Sequence, residues 1–132
     1  MTLFRDLMLA GLLSAALFAG PAAAQNGPAA PPAAGGDRYE DQLVELSEVL
    51  GGSHYLRILC AGRGDQRWRD YMRGVIDRQP AQRAALTEGF NRGYREEEAR
   101  FPTCDRTASR MEAELRARGR RISDGLSARH AQ

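Results

Sequence analysis

The chain contains no lysine, so all 19 of its basic residues are arginine. Alongside abundant alanine and glycine, this marks a compositional bias of the kind a GC-rich genome produces, a bias in coding before it is a function. A surplus of one sign of charge is missing too. The formal net charge is only +2, far from the dense basic surface that nucleic-acid binding requires. Histidine is scarce. His54 and His130 stand alone, with no HxxxH or HExxH spacing, so neither a metal site nor a cofactor is implied. Cysteine is limited to Cys60 and Cys104, a pair without CxxC spacing, which argues against a redox motif. No apolar run beyond Phe18 resembles a membrane span, and no segment alternates as a strand would.

Catalytic constellations are equally absent. Ser47, Ser53, Ser109, Ser123 and Ser127 have no recognisable elbow, and a serine nucleophile needs an activating base. Glu96, Glu97 and Glu98 are consecutive and would point to three faces of a helix, which reads as a solvated face. Gly62-Arg63-Gly64 lacks the third glycine and the strand-to-helix setting of a phosphate-cradling loop, so it reads as a turn. The tripeptide Arg63-Gly64-Asp65 carries no weight as an adhesion match. The expectation is therefore a protein that is not an enzyme.

What is present begins at the N-terminus. Arg5 precedes an apolar run from Leu7 to Phe18, and Ala22-Ala23-Ala24 supplies a small-residue cleavage signature, so residues 1–24 are predicted to be a secretory signal peptide. No cysteine near that point can carry a lipid. A periplasmic location follows as an expectation. Residues 25–36 (QNGPAAPPAAGG) lack the apolar content to offset the entropy of ordering them and read as a linker. Residues 37–132 are left for one small domain. In an oxidising compartment, two cysteines in so small a domain favour a disulfide over a metal site, with two independent buried thiols as the alternative.

Helical spacing dominates the domain. Tyr39, Leu43, Leu46 and Leu50, then Tyr55, Leu56, Leu59 and Cys60, predict a first helix over Arg38–Cys60, although Gly51 and Gly52 interrupt it. One continuous helix is the preferred reading over two short ones. Asp65 is a candidate N-cap for a second helix over Gln66–Arg78, with Trp68, Tyr71, Met72, Val75 and Ile76 at helical spacing. A third runs from Pro80 to about Pro102 with Leu86, Phe90, Tyr94 and Phe101 inward. A fourth runs from Thr103 or Asp105 to Arg129, on Met111, Leu115, Ile122 and Leu126. The predicted fold is all-α, a small antiparallel bundle of about four helices pinned by one disulfide.

Within the third helix, FNRGYR has the look of a motif. Phe90 and Tyr94 lie one turn apart below Leu86, beside a small-residue stripe of Ala85, Gly89 and Gly93 that would let a neighbouring backbone approach closely. Packing is the reading for Phe90, Gly93 and Tyr94, while Asn91 and Arg92 face partly outward. His54 is expected to pack or hydrogen-bond beside Tyr55.

The arrangement LSEVLGGSHYLRILC, RWRDYM, FNRGYR and then FPTCD resembles an uncharacterised family of short exported alphaproteobacterial proteins, over about Leu43 to Arg129. The resemblance implies a disulfide between two well-separated cysteines, here Cys60 and Cys104, and implies no activity. The chain departs from the family pattern at Gly52-Ser53, where a bulkier residue is usual.

The functional expectation is a non-enzymatic periplasmic adaptor, chaperone-like or regulatory, that binds an unidentified envelope or cell-wall protein. Its partner-binding candidates are Trp68, Tyr71, Asn91, Arg92, Tyr94, Arg116 and Arg120. One alternative is a ligand-binding protein or hydrolase with a site built from Asn91, Arg92, His54 and the glutamate run. Another is weak contact of Arg116, Arg118, Arg120 and Arg121 with an anionic membrane surface.

Overall fold

The computed structural model describes residues 34–130. The expected signal peptide and residues 25–33 of the expected linker lie outside them. Among the described residues there are four α-helices and no strand: α1 (Ala34–Ala61), α2 (Arg67–Arg78), α3 (Arg83–Arg100) and α4 (Arg106–His130), with a 3-10 turn over Pro80–Gln82 leading into α3. The all-α bundle expected from the periodicity is what the chain forms. Helix α1 begins at Ala34, inside the segment expected as linker.

Each helix end has a local cause. Gly62 closes α1 in the left-handed region at φ 100°, donating its N–H to the Ile58 carbonyl at 3.1 Å, a conformation that costs glycine least. The N-cap of α2 is Gln66, which makes no side-chain cap bond, rather than the expected Asp65. Asp65 is drawn instead into ion pairs with Arg57 and Arg67, both at 2.8 Å, and reaches the Arg67 N–H only at 3.4 Å. At α4 the cap is conventional, since Asp105 accepts the Ala108 N–H at 2.7 Å.

Helix α1 is the axis of the bundle and packs against the other three, most extensively against α3. Contacts advance together along α1 and α3: Val44 and Ser47 lie beside Gly89, Glu48 beside Gly93, and Tyr55 bonds the Phe101 carbonyl. These two helices therefore run in the same direction. Along α4 the order reverses, from Cys60 joined to Cys104, through Gly52 beside Leu115, to Leu46 and Val49 beside Gly119. Successive helices are antiparallel, and the closest pair is the parallel one.

Glycine makes that closeness possible. A Cβ on Gly51 would sit 1.9 Å from the Phe90 carbonyl oxygen, and one on Gly93 1.9 Å from that of Glu48. A Cβ on Gly89 would meet the Ser47 hydroxyl at 2.2 Å. The stripe expected on α3 is thus answered by a matching one on α1, and the two glycines that disfavour α1 locally by about 1 kcal/mol each are retained by packing. Ala85, expected to extend the stripe, is exposed, because the crossing starts one turn later.

Two apolar clusters fill the space around the seam. Leu43, Leu46, Leu50, Met72, Val75, Leu86 and Leu126 form the larger, drawing on all four helices. Tyr55, Leu56, Phe101 and Ala108 form the smaller, at the end where the Cys60–Cys104 disulfide joins α1 to the start of α4 with Cα atoms 5.1 Å apart. Tyr71, a partner-contact candidate, is 44% exposed. The middle glutamate of the run, expected in solvent with its neighbours, is buried: Glu97 lies against Gly52, while Glu96 and Glu98 are exposed.

Candidate functional site

Helix α2 is short and packs less tightly on α1 than its neighbours do, and a depression opens on each side of it. The larger, about 570 Å³, lies between α1, α2 and α3. Its floor is apolar, from Ile58, Met72, Ile76, Phe90 and Tyr94. Its rim is basic, from Arg63 in the α1–α2 loop, Arg69 and Arg73 on α2, and Arg83 at the start of α3. Arg73 pairs with Asp70 at 3.2 Å, whereas Arg63, Arg69 and Arg83 have no carboxylate partner among the described residues.

His54 stands in the wall of this cleft, only 5% exposed, against the rings of Phe90 (5.7 Å) and Tyr94 (6.1 Å). Its Nδ1 has no hydrogen-bond partner. Burial holds the imidazole below its ordinary value of 6.5, reinforced by the charge of Arg69 and opposed by Asp65 and Asp70. The packing expected for His54 is present, with Phe90 and Tyr94 rather than Tyr55 as its ring neighbours.

The second depression, about 270 Å³, lies between α1, α2 and α4. Leu46, Val49, Leu50 and Leu115 floor it, with Trp68 and Tyr71 on one bank and Arg116 and Arg120 on the other. The Trp68 indole N–H has no acceptor, and Tyr71 reaches Ser123 only at 3.5 Å. Arg116 meets Glu112 at a loose 3.8 Å, and Arg120 has no carboxylate partner among the described residues.

The partner-binding candidates therefore divide. Trp68, Tyr71, Arg116 and Arg120, far apart in sequence, come together on the second groove. Asn91 and Tyr94 line the larger cleft with His54. Arg92 lines neither, because Glu48 on α1 holds its guanidinium across the seam. The alternative site expected from Asn91, Arg92, His54 and the glutamate run is assembled only in part, since His54 and Asn91 share the larger cleft without Arg92 or the glutamates. Glu97 faces away from it, bonded to Arg100 at 3.0 Å, with burial pushing its carboxyl up and Arg100 opposing. Of the α4 arginines, Arg118 is engaged by Glu45 at 2.6 Å, which removes it from the free basic surface.

The four arginines of the larger cleft are the residues that sequence reasoning missed. Arg69 and Arg73 lie one helical turn apart beside Met72 and Ile76, a signal that was legible, but Arg63 and Arg83 join them only through the tertiary fold. Among the described residues no group of three or more metal-ligating side chains occurs, and no helix is long and apolar enough to cross a membrane.

Residues 38–130 match the model of the family described as "Protein of unknown function (DUF2385)". The chain belongs to that family. No curated protein and no solved structure matches it.

Proposed function

We propose that this protein is an exported, non-enzymatic interaction domain that docks an acidic, partly apolar segment of an envelope protein into the groove between α2 and α4. The observation that carries the reading is the convergence of Trp68, Tyr71, Arg116 and Arg120 on one groove, with Tyr71 the large apolar side chain left exposed among the described residues. Tryptophan, tyrosine and arginine are the residue types in which binding energy concentrates, since each offers large contact area together with a polar handle. Here Arg120 has no carboxylate partner among the described residues, and Tyr71 stands exposed beside it. A segment carrying aspartate or glutamate next to an aliphatic residue would pair the first and cover the second.

Export is part of the same proposal. It is supported by Arg5, the apolar run and the Ala22-Ala23-Ala24 signature, and by a disulfide, which persists in an oxidising compartment. An origin in alphaproteobacteria, the setting of the resemblance noted above, is consistent with a periplasmic address.

The test is affinity capture of the tagged full chain from cell envelopes, comparing wild type with Tyr71→Ala/Arg120→Glu and with the control Arg69→Gln/Arg83→Gln. A stoichiometric partner retained by wild type and the control but lost from the groove variant is expected. Equal recovery with all three, or with none, contradicts the proposal.

A further inference from the structure

We infer that the cleft between α1, α2 and α3 binds a small organic molecule carrying at least two oxyanion charges on an apolar body, a phosphate ester or a dicarboxylate. This cleft lies on the opposite side of α2 from the α2–α4 groove. Four arginines border the cleft against the single carboxylate of Asp77 in its lining, and three of them have no ion-pair partner among the described residues. A guanidinium presents paired N–H donors in a planar fork that fits carboxylate and phosphate oxygens two at a time. Guanidiniums gathered from a loop and two helices without a counter-charge repel one another, and a multiply charged anion relieves that repulsion.

A second observation points inside the cleft. His54 is nine-tenths buried or more, and its Nδ1 is without a partner. That atom is closed off within the wall rather than open to the cleft, and the ring packs on Phe90 and Tyr94, so a ligand seated against those two rings alters the surroundings of the imidazole.

The floor sets the rest of the ligand. Ile58, Met72, Ile76, Phe90 and Tyr94 are apolar or aromatic and lie below the rim, which suits a planar or aliphatic body rather than a bare ion. A volume of about 570 Å³ falls among small-molecule sites, which run from roughly 300 to 1,000 Å³. Asn91 adds an amide at the edge.

The probes are phenyl phosphate and phthalate, with inorganic phosphate as the control that lacks a body. Each is titrated calorimetrically at low ionic strength into the protein purified from cells expressing the full chain. Saturable binding of at least one organic probe is expected, with inorganic phosphate about tenfold weaker or more, and with the His54 imidazole resonances moving on binding. Arg69→Gln/Arg83→Gln should weaken binding about tenfold or more, since each arginine contributes a charge-assisted bond. Arg116→Gln/Arg120→Gln, in the other groove, should leave it within about twofold. All four side chains are exposed, and an unchanged circular dichroism spectrum checks that both variants fold. Binding of phenyl phosphate alone assigns a phosphate ester, of phthalate alone a dicarboxylate, and of both the shared oxyanion chemistry. No saturable binding of either probe, undiminished binding by Arg69→Gln/Arg83→Gln, or equal affinity for inorganic phosphate overturns the inference.

Discussion

Replacing Gly93 with alanine tests the α1–α3 seam. The new methyl group would lie 1.9 Å from the Glu48 carbonyl oxygen, 2.7 Å from its carbon and 2.9 Å from its Cα. Ordinary contact begins at 3.4 Å, so 3.4 − 1.9 = 1.5 Å of separation has to open. Every obstructing atom is backbone within α1, so no side chain can swing aside. Helix α1 must move as a body, and the neighbouring close approaches at Gly51 and Gly89 open with it. A radial gap of about 0.5–1 Å already forfeits a quarter to a half of a dispersion contact. Overpacking costs about 1–3 kcal/mol and sometimes more, and a backbone-to-backbone clash belongs at or above the top of that range. Alanine's better helix propensity returns about 1 kcal/mol. The net loss is about 2–3 kcal/mol, which at about 4–8 °C per kcal/mol for a domain of this size lowers the melting temperature by about 10–20 °C. Thermal and urea unfolding followed by far-UV circular dichroism, with the disulfide oxidised, measures it. Gly125→Ala is the control: nothing lies within 4 Å of its Cβ, so it should stabilise α4 by up to about 1 kcal/mol. A Gly93→Ala protein as stable as wild type, or shifted like the control, would refute the seam.

Reducing the Cys60–Cys104 bond, or replacing both residues with serine, should cost up to about 4 kcal/mol, the loop-closure entropy of a 44-residue separation, read as a shift in the urea midpoint. The same reagent should leave helical content largely intact in the absence of denaturant, because the apolar clusters do not depend on the bond. Arg57 and Arg67 hold the Asp65 carboxyl down to about 2, below its ordinary 3.8. With the folded value depressed, the stabilisation is present above about pH 4 and is lost as pH falls toward 2. Asp65→Asn should therefore flatten the acid limb of the stability profile between those values, checked by urea midpoints at each pH. Gly62→Ala places a side chain at φ 100° and should lower stability by about 1–2 kcal/mol, measured in the same way.

Much of the fold was legible because the periodic apolar residues that predict each helix are the ones its neighbours bury. The two glycines of α1 were legible as an interruption but not as a contact surface. Gly51 answers to Phe90 and Tyr94, and Gly52 to Gly93, Glu97 and Leu115, all distant in sequence, so only the crossing of α1 with α3 and α4 reveals their purpose. Tyr71 shares the helical spacing of Met72 and Val75, yet it stands on the flank of α2 that opens beside α4. Glu97 defeats the simple reading of a charged run. Its place on the α3 line of Gly89 and Gly93 carries it into the seam whatever its polarity. The two depressions could not be read in the same way, because each gathers residues from three helices whose relative placement no local spacing encodes.

The most direct measurement for the interaction reading is a photo-reactive amino acid at position 71, irradiated in living cells, with the same substitution at exposed Ala113 on α4 as the reference. A discrete adduct to one envelope protein from position 71, with the joined peptide rich in aspartate or glutamate, is the predicted result. No adduct, or the same diffuse pattern from both positions, would contradict it.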